Sequence, residues 1–392
     1  MLIKNGTVIT PFEAVKNTDV VVEDGVIIKL DRDIAPRDGE TVMDAENCYV
    51  CPGFVDIHTH GGGGGDFMDA TGESFEKALH FHAQNGTTSL LASSVTAPIP
   101  QIENMLDTVR RYKNQENPIC RILGAHIEGP FLSVKNKGAQ NEKYLRIPKR
   151  DGCDFIIKNK DVIVNVTISP ELDGAAEMTQ ILTSLGIVVS GGHDDAQKSN
   201  IMPVIDAGLT NLTHIFCAMS NVAMRDGVRS VGLSEIGLLD DRVSVELIAD
   251  NKHLPPDLVR LAYKCKGSRM ACVVSDCLRA GGMLPDGTLY TLGPIHDENA
   301  QKFIVSEEVA RLPDGSRYAG SIQPLSRMVK NLVNDCNIPL VDAVCMASYT
   351  PAKIIGKQDK TGSITEGKKA DFCIMDKALS VAHVIVNGKI IK

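Results

Sequence analysis

Nowhere in the 392 residues do lysine and arginine gather into a cluster, and the formal net charge is −8. The electrostatic footprint of a nucleic-acid binder is therefore missing. No apolar run approaches the roughly 18 residues that a membrane helix needs. The opening "MLIKNGTVIT" lacks the apolar stretch of a secretory signal. Low-complexity linkers and sequence repeats are absent as well. Eleven cysteines are present, an odd number with scattered spacing, which points to reduced thiols in a cytoplasmic protein rather than a disulfide framework. The single C-x-x-C, Cys48 to Cys51, has no second pair to complete a structural zinc site and reads as strand residues entering a turn. What remains is a chain with 43% hydrophobic and 23% charged residues, the balance of an ordinary globular protein.

Both ends of the chain read as short strands. "LIKNGTVIT" predicts a hairpin with Asn5-Gly6 at its tip, "DVVVEDGVIIKL" one at Asp24-Gly25, and "VAHVIVNGKII" one at Asn387-Gly388. Residues 1–52 and 353–392 are accordingly expected to form one small β-sandwich domain. The middle, 53–352, alternates strands with helical segments. Eight strands are predicted: "FVDIHTH", "TTSLLASSV", "RILGAHIEGP", "VIVNVTISP", "IVVSGGHDD", "LTNLTHIF", "VSVELIAD" and "ACVVSD". Each has room for a helix behind it, as in a (β/α)8 TIM-type barrel. A doubly wound sheet would be expected to carry a dinucleotide turn after its first strand. The five glycines of "HTHGGGGGD" do not fit that fingerprint.

Residues capable of metal or acid–base chemistry recur at the C-terminal ends of these strands. They are His58 and His60, Glu128, His193, His214 and Asp276, with His253 just past the seventh strand. In a barrel those ends converge on the face that carries the active site. His58 and His60 alternate with Thr59 and so share one face of a strand. Imidazole with carboxylate suits zinc, iron or similar divalent ions. His126 faces the same interior, as a neighbour of the ligands or a core histidine. His80 and His82 fall within a helix, and His296 and His383 look structural. Of Asp194-Asp195, one is expected to orient His193 and the other to cap the next helix. The glycines after His60 are read as leaving a substrate room to approach.

At these residues the sequence resembles the amidohydrolase superfamily, and within it the deacetylases of N-acetylglucosamine 6-phosphate. The resemblance rests on "PGFVDIHTHGG", "HIEGPF" with "KGAQ", "GGHDDA", "THIFCAMS", "ELIADNKH", "VVSDCLRAGG", "YAGS" and the tail "GSITEGKKADFCIMD". It implies a divalent transition metal, zinc or iron, held by Glu128, His193 and His214. A second metal position is implied at His58 and His60, with Glu128 bridging. It further implies Asp276 as the general acid–base group, His253 on the substrate carbonyl and Gln140 on the substrate. The phosphate would meet backbone N–H groups near Cys217 and Ala218 together with Arg225, an arginine that can come from the partner subunit of a homodimer. No lysine follows the fourth strand, so a carboxylated lysine bridge is not implied. This chain departs from the family pattern at Cys217, where Asn is usual, at Asn251, where Gly is usual, and in "VAMRDGV", which keeps Arg225 but loses a histidine pair. Arg229 is a second candidate there. The competing readings are a deacetylase for another N-acetylhexosamine phosphate such as the galacto epimer, an aminoacylase or cyclic amidase, and a non-catalytic barrel relative.

Overall fold

A computed structural model describes residues 1–116, 118–225 and 227–392. Eight strands form one parallel sheet in sequence order: β1 (Phe54–Thr59), β2 (Thr87–Ser93), β3 (Arg121–Glu128), β4 (Ile163–Ile168), β5 (Val188–Gly191), β6 (Asn211–Leu212), β7 (Ser244–Leu247) and β8 (Ala271–Val273). The segment after β8 returns to the end of β1. The Asp276 N–H donates to the His58 carbonyl at 2.9 Å, and the His60 N–H to the Cys277 carbonyl at 2.9 Å. These bonds curl the sheet into the expected barrel.

The helices between the strands are amphipathic, and their apolar stripes cover the barrel. Helix α1 (Gly72–Gln84) starts at Thr71, whose side chain accepts from the Ser74 N–H, and buries Phe75, Ala78 and Leu79. Helix α2 (Ile99–Lys113) buries Ile102, Met105, Leu106 and Val109, with Arg110, Arg111 and Lys113 in its last turn. Cations there complement the negative end of the helix dipole. Each fully buried Leu or Ile contributes roughly 1.5–3 kcal/mol of apolar burial.

The terminal strands Leu2–Ile9, Ala14–Glu23, Val26–Asp31, Val42–Asp44 and Tyr49–Pro52 share one eight-stranded sheet with Phe372–Met375, Val381–Val386 and Lys389–Ile390. The sheet has its own core of residues such as Ile3, Val20, Val50 and Phe372. The hairpins at Asp24-Gly25 and Asn387-Gly388 are present, with positive φ at both central residues as a type I′ turn requires. Asn5-Gly6 differs: it lies inside the strand Leu2–Ile9 as an irregularity in the pairing with Ala14–Glu23. Asn5 takes φ 62° there. Its N–H donates to Asp19 at 2.9 Å and its side chain to Asp44 at 3.0 Å, so side chains supply the partners that the strand ladder lacks.

After β8 the chain makes an antiparallel sheet of Leu289–Thr291, Lys302–Ser306, Val309–Arg311 and Tyr318–Gly320 before the next helix, Leu325–Asn334. The sequence reading did not anticipate this insert. It places Leu292 and residues 317–320 in the wall of the cavity at the barrel mouth.

Candidate active site

The strand ends bring six side chains together. His58 Nε2 and His60 Nε2 lie 3.3 Å apart. Glu128 Oε1 is 3.0 Å from both His193 Nε2 and His214 Nε2, and 3.6 Å from His58 Nε2. Its other oxygen is 3.3 Å from His60 Nε2. Asp276 Oδ1 lies 3.2 Å from His60 Nε2 and 3.5 Å from His58 Nε2. All six residues are buried.

Two ligand sets share Glu128. His58, His60 and Glu128 form one, and Glu128, His193 and His214 the other, each with its donor atoms within 4.8 Å of one another. With metal–nitrogen distances of about 2.0–2.1 Å, tetrahedral ligands sit roughly 3.3–3.4 Å apart. The spacings here match that edge, and the donor set of imidazole and carboxylate suits a divalent transition ion. The residues present fit the group that they would hold.

The backbone delivers these side chains at a local conformational cost. His193, His214 and Asp276 have φ of 49°, 30° and 45°. The left-handed region costs a residue with a Cβ roughly 1–2 kcal/mol. Such outliers persist where the surrounding structure over-determines them, characteristically at functional sites.

Charge is concentrated in this buried space. Burial pushes Glu128 up, but the charge of His58 and hydrogen bonds from His193 and His214 outweigh it and hold the carboxylate well below its usual range. Asp276 is likewise pushed up by burial and pulled lower by the His60 hydrogen bond and the charges of His58 and His60. Burial works against the charged form of His60, yet Asp276 and Glu128 raise it to about 9. Two buried carboxylates thus demand positive charge, from protons on imidazole or from a metal ion.

The cavity above the ligands measures about 390 Å³, within the usual range for small-molecule sites. His253 lines it, with Nδ1 2.8 Å from Asp250 Oδ2. Burial lowers the His253 pKa, but that hydrogen bond and the Asp250 charge prevail and leave it raised. Gln140 lines the cavity too, but its amide is already committed. Nε2 donates to Glu128 at 2.7 Å and Oε1 accepts from the Thr96 N–H at 2.7 Å. It orients the shared carboxylate.

Other candidate residues lie away from the ligands. Arg225 does not line this chain's own cavity, as an arginine supplied to a partner subunit would not. It lies in the hairpin of Ala223–Arg225 and Val228–Ser230 and pairs with Asp195 at 2.8 Å. The Cys217 N–H is taken by the His214 carbonyl at 3.0 Å. The Ala218 N–H has no such partner among the described residues. Neither member of Asp194-Asp195 acts as expected. Asp194 accepts from Ser220 and the Ala196 N–H, and Asp195 pairs with Lys135 and Arg225. The Asn136 carbonyl, 2.9 Å from Nδ1, is what orients His193. Gln197 takes the N-cap position of the next helix, its N–H donating to Asn200 Oδ1 at 3.2 Å.

The glycines after His60 do not line the cavity. They form a small hairpin, Gly61–Gly62 against Gly65–Asp66, pressed onto α1. A Cβ at Gly65 would sit 2.1 Å from the Ser74 carbonyl oxygen, and one at Gly62 would sit 2.4 Å from the Phe81 ring. Close packing, rather than substrate access, requires glycine there. His82 is buried beneath this hairpin with Nε2 2.9 Å from the Gly61 carbonyl, while His80, His296 and His383 are exposed. His126 sits below the ligands, bonded to Ser93 and Thr167.

The departure at Asn251 has a local explanation. It is exposed with φ 61°, a conformation that asparagine tolerates, and it donates to Asp335 at 2.7 Å. Residues that the sequence reading did not single out also reach the cavity, notably Arg317 and Tyr318 from the insert. The Tyr318 ring lies 5.1 Å from that of His253. Only the quoted "YAGS" pointed toward them.

Comparison with known proteins agrees with this geometry. The amidohydrolase family model matches residues 49–391. An N-acetylglucosamine-6-phosphate deacetylase of Vibrio furnissii is 34% identical, covering 87% of this chain and 82% of that one. An N-acetylgalactosamine-6-phosphate deacetylase of Escherichia coli O157:H7 is 30% identical, covering 89% of each. Among solved structures, an N-acetyl-D-glucosamine-6-phosphate deacetylase from Mycobacterium smegmatis, in complex with N-acetyl-D-glucosamine-6-phosphate, superposes with a TM-score of 0.89. It is 29% identical, and the match covers 100% of this chain and 99% of that one.

Proposed function

This chain belongs to the amidohydrolase family, and on that premise we propose that it hydrolyses the acetamide of N-acetylglucosamine 6-phosphate to glucosamine 6-phosphate and acetate. The observation that carries the reading is the meeting of Asp276 with the two ligand sets at the floor of one cavity. Glu128, His193 and His214 would hold one divalent ion, zinc or iron, and His58 and His60 together with Glu128 would hold a second. Such an ion would supply Lewis acidity for the water and for the amide carbonyl.

The chain's own groups do the rest. Asp276 takes the water's proton at its carboxylate and returns it to the departing amine. His253, held at Nδ1 by Asp250, presents Nε2–H to the carbonyl oxygen as negative charge develops there. The substrate's anionic end meets the Ala218 N–H and the Arg317 guanidinium, which lines the same cavity. Arg225 serves the cavity of a partner in a homodimer. The exposed Met224 and Val228 of its hairpin support such a contact. Eleven unpaired cysteines, most of them buried, suit a reducing cytoplasm. Residues 53–352 as the catalytic barrel, with 1–52 and 353–392 as a terminal β domain, are part of the same proposal.

A second reading, the galacto epimer as substrate, draws on the Escherichia coli relative and on Cys217 in the sugar-facing wall. Acetate release from N-acetylglucosamine 6-phosphate, N-acetylgalactosamine 6-phosphate and unphosphorylated N-acetylglucosamine tests both. The first should be hydrolysed with the highest kcat/KM. A preference for the second establishes the other epimer, and indifference to phosphate defeats the anion-binding part of the proposal.

A further inference from the structure

Glu246, in β7, is a fully buried carboxylate to which the chemistry above gives no part. The interior of such a barrel is usually filled by Val, Ile and Leu, and a buried carboxylate is costly unless it is well bonded. Oε1 accepts from Asn211 Nδ2 at 2.7 Å, and Oε2 lies 3.2 Å from His58 Nδ1 and 3.4 Å from the His214 N–H. Among the described residues His58 is its only ionisable partner.

The acceptor that faces each Nδ1 distinguishes the two ligand sets. Glu246 Oε2 faces His58 Nδ1 at 3.2 Å, which leaves the other ring nitrogen, Nε2, turned into the site toward His60, Glu128 and Asp276. The Asn136 carbonyl does the same for His193. His60 Nδ1 and His214 Nδ1 are buried without a partner among the described residues. Each set therefore has one imidazole held from behind, one by a backbone carbonyl and the other by a side-chain carboxyl group. Carboxylate behind a histidine fixes its tautomer and makes it a better donor.

Glu246 is itself held. Asn211 Nδ2 also reaches Ser190 Oγ at 3.0 Å, Ser244 Oγ donates to Asn211 Oδ1 at 2.9 Å, and Ser190 Oγ donates to Asn165 Oδ1 at 2.8 Å. This polar chain runs through β4, β5, β6 and β7 and ends on His58 in β1.

We propose that Glu246 is a positioning residue for the second metal position: it holds His58 with Nε2 presented to the ion, and the Asn165–Ser190–Asn211 chain holds Glu246. The inference rests on the metal reading above, and its test separates the two. Wild-type protein, Glu246→Gln and Glu246→Leu are stripped of metal and dialysed against graded free zinc. Bound zinc is then measured by elemental analysis, with thermal unfolding recorded for each. The wild type should bind two equivalents. Both variants should keep the first and bind the second about 10–100-fold more weakly. Gln should be the milder change, since its amide oxygen still accepts from Nδ1–H. Equal weakening of both equivalents, unchanged binding of both, or loss of the fold in both variants would assign Glu246 a merely structural role and overturn the inference. A wild type with one equivalent overturns it while sparing the first metal position. A wild type that binds none defeats the metal reading itself.

Discussion

The floor and the rim of the cavity are built differently. Floor residues sit at or just beyond strand ends, and their donor atoms hold one another within hydrogen-bond reach. Rim residues come from outside the barrel strands: Cys217 and Ala218 after β6, His253 after β7, and Arg317 and Tyr318 from the inserted sheet. The floor matches the pattern on which the resemblance rests, while the departures at Cys217, Asn251 and the Arg225 hairpin all lie in the segments that connect the barrel strands. In a barrel the strand ends fix the chemistry, and the loops can vary around it to change what is bound. Floor variants should therefore reduce kcat, and rim variants that only bind the substrate, His253 excepted, should raise KM.

Asp276→Asn should have the largest effect. Asn keeps the shape and hydrogen-bonding capacity but cannot carry the proton, so kcat should fall about 10²- to 10⁴-fold with little change in KM. Steady-state kinetics on the metal-replete variant checks this. A change confined to KM would break the contrast between floor and rim.

His82 tests the support beneath the floor through pH. Burial depresses its pKa to about 4, the Gly61 hydrogen bond opposing only in part. The folded state keeps His82 neutral, while the unfolded chain protonates it near 6.5. Its contribution to stability is complete above about pH 6.5 and is lost as pH falls toward 4, in total about 3 kcal/mol. Thermal unfolding across that range should show a shallower acid loss for His82→Gln than for wild type. Parallel curves would remove His82 from the acid response.

At the rim, Arg317→Ala should raise KM for the phosphorylated sugar about 10- to 100-fold, since a hydrogen bond to a charged group contributes roughly 1.5–3 kcal/mol. KM for the unphosphorylated sugar should barely move. Arg225→Ala should act similarly only if the protein is dimeric, so its kinetics are to be read beside the mass from light scattering. Cys217→Asn should matter least, changing kcat/KM by less than about threefold, because the backbone survives the substitution. Conversion by Cys217→Asn of a poor glucosamine-6-phosphate-forming enzyme into a good one would point to another native sugar.

The barrel was legible because its strands are short apolar runs, several of them closed by a polar residue, and His58, His60, Glu128, His193, His214 and Asp276 from those ends lie together in the structure. Glu246 was not legible. Mid-strand, it resembles any alternating polar position, and only closure of the barrel turns it inward onto His58. Arg317 was hidden for another reason: the strands of its insert are three to five residues long, too short for a periodic signal. Asn5-Gly6 misled because its residue types suit a two-residue turn and a strand irregularity equally well, and side chains distant in sequence, Asp19 and Asp44, decide between them.

The most direct test of the central claim is acetate release from N-acetylglucosamine 6-phosphate by one preparation before chelation, after chelation, and after return of zinc or iron. The account predicts turnover that disappears on stripping and returns with the metal, in step with bound metal measured by elemental analysis. Undiminished turnover by protein holding less than about a tenth of an equivalent would contradict it.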